Sequence, residues 1–186
     1  MAGLTPSQTL GPFFDFGLLI PDGEVVADAA ATGRRITIEG VIRDGAGVPL
    51  PDALIEIWQA DSSGTYRHPA DPNHASSDRG VNGFGRVATD DEGRFAFQTV
   101  MPGRVPGPDG KAQAPHIAVG VLARGLLTRL VTRMYFDGEP SNGEDAVLSL
   151  VPAPRRGTLL ATRIDGDRYR FDIALQGPGE TVFFDV

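Results

Sequence analysis

The sequence predicts an all-β fold: a β-sandwich of mainly antiparallel strands with an N-terminal arm and long loops. Short segments of alternating apolar and polar residues, which are typical of half-buried strands, recur along the middle of the chain. Turn-forming residues separate these segments, and the 186 residues include 24 Gly and 15 Pro. Many short strands joined by such turns are typical of sandwiches and barrels. Only residues 141–148 and 155–161 suit a helical turn or two.

Each predicted strand has its own pattern. In the first, Ile36, Ile38 and Ile42 share one face, because side chains alternate between the two faces along a strand. The second reads Leu-Ile-Glu-Ile-Trp, and the third follows an Asp-Asp-Glu-Gly turn. In chain order, the predicted strands are residues 36–42, 54–58, 95–100, 116–122, 129–136, 169–174 and 181–184.

Two long segments exceed what a minimal sandwich needs. Residues 1–32 contain too many Pro and Gly residues for one continuous strand, and we predict an extended arm there. Residues 61–84 are polar and are predicted to form a long loop. Ordered loops of this length in a compact domain are usually functional or contact a partner. We therefore expect a single domain over residues 1–186, in which the arm and this loop carry functional contacts.

Composition excludes several classes of protein. Because the chain has no Cys, it cannot form disulfides, zinc fingers or iron–sulfur clusters, or use a thiol nucleophile. A net charge of −7 argues against binding to nucleic acid. The sequence has no apolar run long enough to span a bilayer, and residues 1–14 lack the pattern of a secretory signal. We expect a soluble, cytoplasmic protein that binds neither nucleic acid nor membrane.

Several motifs, met in order along the chain, resemble those of a known enzyme family. They are Thr-Pro-Ser-Gln-Thr-Leu-Gly-Pro at residues 5–12, Leu-Ile-Glu-Ile-Trp-Gln-Ala-Asp at 54–61, Gly-Thr-Tyr-Arg-His at 64–68, Val-Met-Pro-Gly at 100–103, Ala-Pro-His-Ile at 114–117 and Thr-Arg-Met-Tyr-Phe at 132–136. Together they resemble the intradiol ring-cleaving catechol dioxygenases over nearly the whole chain. Within that family, the resemblance is to the α chain of the two-chain members.

The resemblance implies a ferric iron site held by two tyrosinates and two imidazoles, and this chain departs from that pattern. Tyr66 stands at the first Tyr position and His116 at the first His position. The second Tyr position carries Val105 and the second His position carries Ala118. Neither hydrocarbon side chain can donate a lone pair. We therefore predict that this chain binds no metal by itself and supplies no catalytic residue.

The residues also allow a purely structural interpretation. Tyr66 is then an ordinary tyrosine whose hydroxyl finds a local partner, and His116 is packed or hydrogen-bonded at the start of a strand. Trp58 belongs to the core or to an interface. His68 and His74 are expected to be exposed in the polar loop. If the chain did bind iron, His68, His74 or Asp109 would have to approach in space and replace the missing ligands.

The resemblance implies that Fe(III) is held by a partner, a β-type chain of the same family. That chain would insert both atoms of O2 between the hydroxyl-bearing carbons of protocatechuate, an aromatic dihydroxy acid, to give 3-carboxy-cis,cis-muconate. This chain would scaffold the complex and line the β chain's site with substrate-binding residues. The implied residues are Thr9, Gly11, Pro12 and Arg133.

For two of these groups the alternatives stay open. Arg133 is a guanidinium in a largely apolar strand and needs an anionic partner, which is either a structural carboxylate or the ring carboxylate of the substrate. The segment from Thr9 to Pro12 either lines the shared pocket or only buries interface area. Gly permits a close backbone approach and Pro fixes it.

Two rival functions also remain. The first is a stand-alone β-sandwich protein that binds aromatic acids in a degenerate pocket. The second is an active single-chain dioxygenase with rearranged ligands, against which Val105 and Ala118 argue.

Overall fold

The computed structural model describes residues 11, 17–107 and 110–185. The described residues form eleven strands joined by turns and short helices. The strands are β1 Arg35–Arg43, β2 Leu54–Trp58, β3 Phe84–Ala88, β4 Arg94–Val100, β5 Val105–Pro106, β6 Ala112–Gln113, β7 His116–Leu122, β8 Leu130–Phe136, β9 Leu160–Asp165, β10 Arg168–Arg170 and β11 Ile173–Ala174. The helices are α1, Ala146–Leu150, and the 3-10 helices His74–Ser76, Pro140–Glu144 and Ala153–Leu159.

The long strands form two four-stranded layers. One layer has the order β3-β2-β7-β8 and is antiparallel throughout. The other has the order β4-β1-β10-β9, with β11 continuing beside β1. A short parallel contact between β8 and β9 joins the layers, where Tyr135 and Phe136 pair with Leu160 and Ala161. The small hairpin of β5 and β6 is separate from both layers.

One apolar core fills the space between the layers. Alternate residues of each central strand face it, as the period of two requires. From the first layer the core takes Ile55, Ile57, Ile117, Val119, Val121, Met134 and Phe136, and from the second Ile36, Ile38, Ile42, Phe95, Phe97 and Tyr169. The predicted β-sandwich of mainly antiparallel strands is therefore confirmed.

The described part of the N-terminal segment lies across the edge of the sandwich. The Val26 backbone donates to Gln98 of β4 and accepts from Asn82, which precedes β3, and its side chain is fully buried in the core. Gly85 of β3 allows this close approach, because a Cβ at that position would lie 2.6 Å from Val26 Cγ2 and 2.8 Å from the Gly23 carbonyl oxygen. The segment thus closes one side of the core.

Most predicted strands are present, and four predictions need correction. Residues 169–174 do not form one strand, because β10 ends at Arg170 and β11 begins at Ile173. Residues 160–165 form β9, although residues 155–161 were expected to be a helical turn; the turn ends at Leu159. Residues 84–88 form β3, a strand that the sequence patterns do not predict, and only Phe84 belongs to the segment predicted to be a loop. Residues 181–184 are not a strand, because Thr181 hydrogen-bonds to β11 in one layer while Phe184 bridges Val131 in the other.

Candidate functional site

A pocket of about 430 Å³ opens on the outer face of the β3-β2-β7-β8 layer, and we call it the Tyr66–Arg133 pocket. The same alternation that sends Ile117 and Val119 into the core sends His116 and Ala118 to this outer face. The polar loop after β2 and the β5–β6 hairpin form the other walls. The pocket is lined by Trp58, Tyr66, His68, Asp71, Val105, Pro106, Gln113, His116 and Arg133 among others.

Asp61 fixes the loop that carries Tyr66. Its carboxylate is 3% exposed and accepts hydrogen bonds from the backbone N–H groups of Ser63, Thr65 and Asp78 and from the Ser63 hydroxyl, at 2.6 to 3.0 Å. Burial alone would raise the pKa of Asp61, but these hydrogen bonds outweigh it and hold the pKa below its usual value. The loop is thus organised around one buried carboxylate.

Gly64 brings this loop against the chain that leads to Val105. Its φ is +85°, and a Cβ there would lie 2.0 Å from the carbonyl oxygen of Arg104. Only Gly suits both the left-handed backbone and this contact. Tyr66 and Val105 are consequently held on walls of the same pocket.

His116 is a buried, neutral imidazole with one free nitrogen. It is 5% exposed, and its Nδ1 lies 2.8 Å from the Ala114 carbonyl oxygen. Since a carbonyl only accepts, Nδ1 carries the proton and Nε2 keeps its lone pair. Burial, reinforced by the nearby Arg133 charge, lowers the pKa of His116. Within the described ranges Nε2 makes no hydrogen bond.

Arg133 and Tyr66 also contribute polar groups to the pocket. The Arg133 guanidinium donates to Gln113 Oε1 at 2.6 Å, so the side chain is directed along the pocket by a neutral amide. Burial raises the pKa of the Tyr66 phenol, although the Arg133 charge opposes this, and the phenol is therefore protonated at neutral pH. Tyr66 stacks on Trp58 with ring centroids 5.8 Å apart and an interplanar angle of 8°.

A second buried carboxylate, that of Asp145, supports the floor behind His116. Asp145 is fully buried and accepts from the Tyr135 hydroxyl at 3.0 Å and from the backbone of Ala114 at 2.8 Å, besides capping α1. Burial and the Asp145 charge raise the pKa of Tyr135, which stays a hydrogen-bond donor. The His116 and Tyr135 rings pack with centroids 5.7 Å apart.

Comparisons with known proteins identify the family to which this fold and this pocket belong. A family model described as Dioxygenase matches residues 19–177. The protocatechuate 3,4-dioxygenase alpha chain of Burkholderia cepacia is 43% identical over 98% of this chain and 97% of its own length. The chain belongs to the intradiol dioxygenase family.

Further relatives agree with this assignment. The protocatechuate 3,4-dioxygenase beta chain of Burkholderia cepacia is 36% identical over 84% of this chain and 70% of its own length. Among solved structures, the dioxygenase domain of a dioxygenase and carbohydrate-binding protein fusion from Streptomyces sp. SirexAA-E has a TM-score of 0.64. It is 30% identical and covers 93% of this chain and 98% of that one. The resemblance found in the sequence motifs is therefore confirmed.

The iron that the family implies does not fit the donors of this pocket. Tyr66 and His116 line it, but Val105 also lines it and offers only carbon atoms. Ala118 pairs with Trp58 on one side and Arg133 on the other, so that a cation stands beside the position of the missing imidazole. Within residues 11, 17–107 and 110–185, no cluster of three or more His, Asp or Glu side chains could hold a metal ion.

The residues that might have replaced the missing ligands do not assemble. His68 lines the pocket and packs edge-on against Trp58, at 6.1 Å between ring centroids. His74 is exposed in a 3-10 helix and is not part of the pocket lining. Asp109 lies outside the described residues.

Of the predicted site residues, the structure brings Tyr66, Val105, His116 and Arg133 to one pocket. Gly11 is exposed, with no atom within 4 Å of a Cβ placed on it, whereas Thr9 and Pro12 lie outside the described residues. Arg133 lies in this chain's own pocket. Sequence reasoning missed Gln113, the partner of Arg133, and the role of Trp58 as a pocket wall. No sequence signal marks Gln113, since the β5–β6 hairpin places it there.

Two other features bear on function. A larger pocket of about 540 Å³, lined by Glu24, Glu39, Arg94 and Arg170 among others, contains none of the predicted site residues. None of the helices in the described part of the chain is long and apolar enough to cross a bilayer.

Proposed function

We propose that this chain is the α, iron-free subunit of a hetero-oligomeric protocatechuate 3,4-dioxygenase. The main support is the set of possible metal ligands at the Tyr66–Arg133 pocket. A phenol and an imidazole remain there, whereas Val105 and Ala118 stand in place of the other two ligands. The similarity to an alpha chain over 98% of this chain supports the same assignment. A subunit that retains the fold without the ligands needs a partner for the chemistry.

In this proposal the β chain carries Fe(III) and cleaves protocatechuate with O2 between its two hydroxyl-bearing carbons. The product is 3-carboxy-cis,cis-muconate. The present chain performs no redox step: it scaffolds the complex and lines the partner's site. The complex is proposed to lie in the cytoplasm, consistent with a chain that contains no Cys.

The lining residues remain predictions within this proposal. Thr9, Gly11 and Pro12 are expected to approach the partner's substrate, and Arg133 is expected to meet its ring carboxylate through two parallel N–H bonds. Gly11 makes a discriminating test, because a side chain there meets no atom of this chain within 4 Å. In the assembled complex, Gly11→Val should raise KM without lowering this chain's own stability. Unchanged KM and kcat would assign the segment to interface burial alone.

The central experiment compares the chain purified alone with the chain co-expressed with a β-type partner. Iron content, visible absorption and ring cleavage of protocatechuate are measured on both samples. We expect a colourless, iron-free, inactive protein alone and a coloured, active complex with the partner. One iron per chain and activity without a partner would instead establish the single-chain dioxygenase.

A matched variant assigns the iron to one chain of the complex. Tyr66→Phe removes the remaining phenolic oxygen of this chain and leaves its ring stacked on Trp58. We expect iron content and absorption of the complex to be unchanged by Tyr66→Phe, because its iron is held by the partner's residues. Loss of colour in this variant would place the iron in the Tyr66–Arg133 pocket and contradict the proposal.

A further inference from the structure

The Tyr66–Arg133 pocket contains a cation without an anionic partner. Arg133 is half-buried, and its hydrogen-bond partners, the Gln113 amide and the Tyr135 hydroxyl, are both neutral. The carboxylate in the lining, Asp71, accepts the backbone N–H groups of Tyr66 and Asn73, each at 2.8 Å. Among the described residues, Arg133 has no ion pair. A partly desolvated guanidinium in this state favours a carboxylate, which its planar donors can bind at two points.

His116 adds an unused acceptor to the same pocket. His116 is 5% exposed, and its Nδ1 is already bonded to the Ala114 carbonyl. In the described part of the chain, Nε2 has no hydrogen-bond partner. Nε2 is open to the pocket, so a ligand that brings an O–H group there can donate a hydrogen bond to it. Because the Nδ1 proton is donated to the Ala114 carbonyl, Nε2 carries the lone pair and faces the pocket as an acceptor.

The remaining walls suit an aromatic ring. Trp58 and the stacked Tyr66 present one side, and Val105 and Pro106 present apolar carbon on another. A volume of about 430 Å³ lies in the range of pockets that hold small molecules. Val105 therefore cannot bind a metal, and its side chain gives an aromatic ring an apolar surface to pack against.

We infer that the Tyr66–Arg133 pocket is itself a binding site for a small hydroxylated aromatic carboxylate, held without metal by Arg133 at the carboxylate and His116 Nε2 at the ring hydroxyl. In this inference the Arg133 guanidinium binds a carboxylate in this chain's own pocket, so this role and the predicted contact with the partner's substrate are alternatives for Arg133. The pocket binds and releases its ligand unchanged. The inference depends on the pocket alone and does not require the subunit assignment.

The probe is 4-hydroxybenzoate, whose single ring hydroxyl makes it unsuitable for cleavage between two hydroxyls. Binding to the purified complex is measured by isothermal titration calorimetry, with the number of equivalents counted per α–β pair. We expect one equivalent in addition to any at the partner's site. His116→Phe and Arg133→Gln should each weaken that equivalent about tenfold or more, as expected for loss of a hydrogen bond to a charged or buried group. Arg170→Gln, which removes an arginine paired with Asp172 elsewhere, should leave it unchanged.

The remaining outcomes separate this inference from the proposed function. Iron content and kcat/KM are measured on the same samples, and Arg170→Gln should alter neither. Absence of the additional equivalent, or its survival in both pocket variants, would overturn the inference while leaving the subunit assignment intact. Equal affinity for benzoate, which lacks the hydroxyl, would refute the contact with His116. If no partner assembles, the full chain alone should still bind one equivalent, reported by the fluorescence of Trp58, its one tryptophan.

Discussion

At the scale of single residues, the chemistry of the pocket is set by which groups are charged. His116 is neutral because burial penalises its protonated form and Arg133 repels the added proton. Asp145 opposes this shift, but it does not cancel it. The neutral His116 therefore offers a hydrogen-bond acceptor beside the Arg133 cation. Such a pair suits an anionic ligand that carries a hydroxyl group, and it does not suit a metal cation.

This state of His116 predicts a pH dependence of stability. The unfolded chain binds the His116 proton near the ordinary value of 6.5, whereas the folded chain binds it only at lower pH. Protonation therefore favours the unfolded state, and the free energy of unfolding should fall as the pH decreases from about 7.5 to 5. We expect His116→Gln to flatten this dependence in urea unfolding experiments.

Two further variants test which groups cause this pH dependence of stability. Arg133→Gln removes the repulsion and should reduce the slope without abolishing it, since burial is the larger contribution. His74→Gln, at an exposed position outside the pocket lining, should leave the slope as in the wild type. A slope that survives His116→Gln would show that another group is responsible.

At the scale of elements, the loop after β2 is a structural unit built on one carboxylate. Asp61 accepts four hydrogen bonds from within the loop and from Asp78, and Gly64 seats the loop against Arg104. The motifs at residues 54–61 and 64–68 therefore encode a rigid platform as well as a ligand position. This explains why the loop keeps its structure in a chain that has Val105 and Ala118 at two of the four ligand positions.

Asp61→Ala should accordingly destabilise the chain by about 3 kcal/mol, because it leaves buried donors without an acceptor. Ser63→Ala is the matched control, since it deletes only the hydroxyl bond to Asp61 and should cost about 1 kcal/mol. Both are measured by urea unfolding near neutral pH. Because the folded pKa of Asp61 is depressed, the contribution of its charge is present above the ordinary value of 3.8 and is lost as the pH falls through the folded value. Equal effects of the two variants would contradict the central role of Asp61.

Strands with a clear apolar alternation could be predicted from the sequence, and strands fixed by their neighbours could not. Leu54–Trp58 and His116–Leu122 have the predicted bounds, because their apolar residues face the core. In β9 only Ala161 is buried, so its strand conformation depends on pairing with β8 and β10. In β3, Gly85 interrupts the pattern, and the reason lies in the chain that crosses it at Val26.

The same distinction applies to the site. Tyr66, Val105 and His116 could be placed by motif, and the structure brings them to one pocket. Their partners could not be placed, because Gln113 and Trp58 reach the pocket through a hairpin and through strand pairing. The predicted role of Arg133 toward the partner's substrate rests on resemblance, whereas its bond to Gln113 and its place beside His116 follow from the β7–β8 register.

At the scale of the whole molecule, the two layers depend on a single core. Phe97 of β4 is fully buried in the same cluster as Ile57 and Val119 of the opposite layer. Direct strand pairing between the layers is limited, since β8 and β9 pair over only two residues each. Packing across the core therefore carries most of the coupling between the layer that holds the pocket and the layer that does not.

Phe97→Ala tests this coupling, because it creates a cavity in one layer while Trp58 reports from the other. A buried Phe replaced by Ala costs about 3–5 kcal/mol, and we expect the urea midpoint to fall by the same amount whether unfolding is followed by Trp58 fluorescence or by far-ultraviolet circular dichroism. Gln98→Ala changes an exposed side chain on the same strand and should leave the midpoint nearly unchanged. If the fluorescence midpoint of Phe97→Ala stayed at the wild-type value while the dichroism midpoint fell, the layers would unfold independently. Coincident midpoints would mean that the pocket persists only as long as the whole sandwich does, so that the platform under Tyr66 cannot be maintained without the distant core.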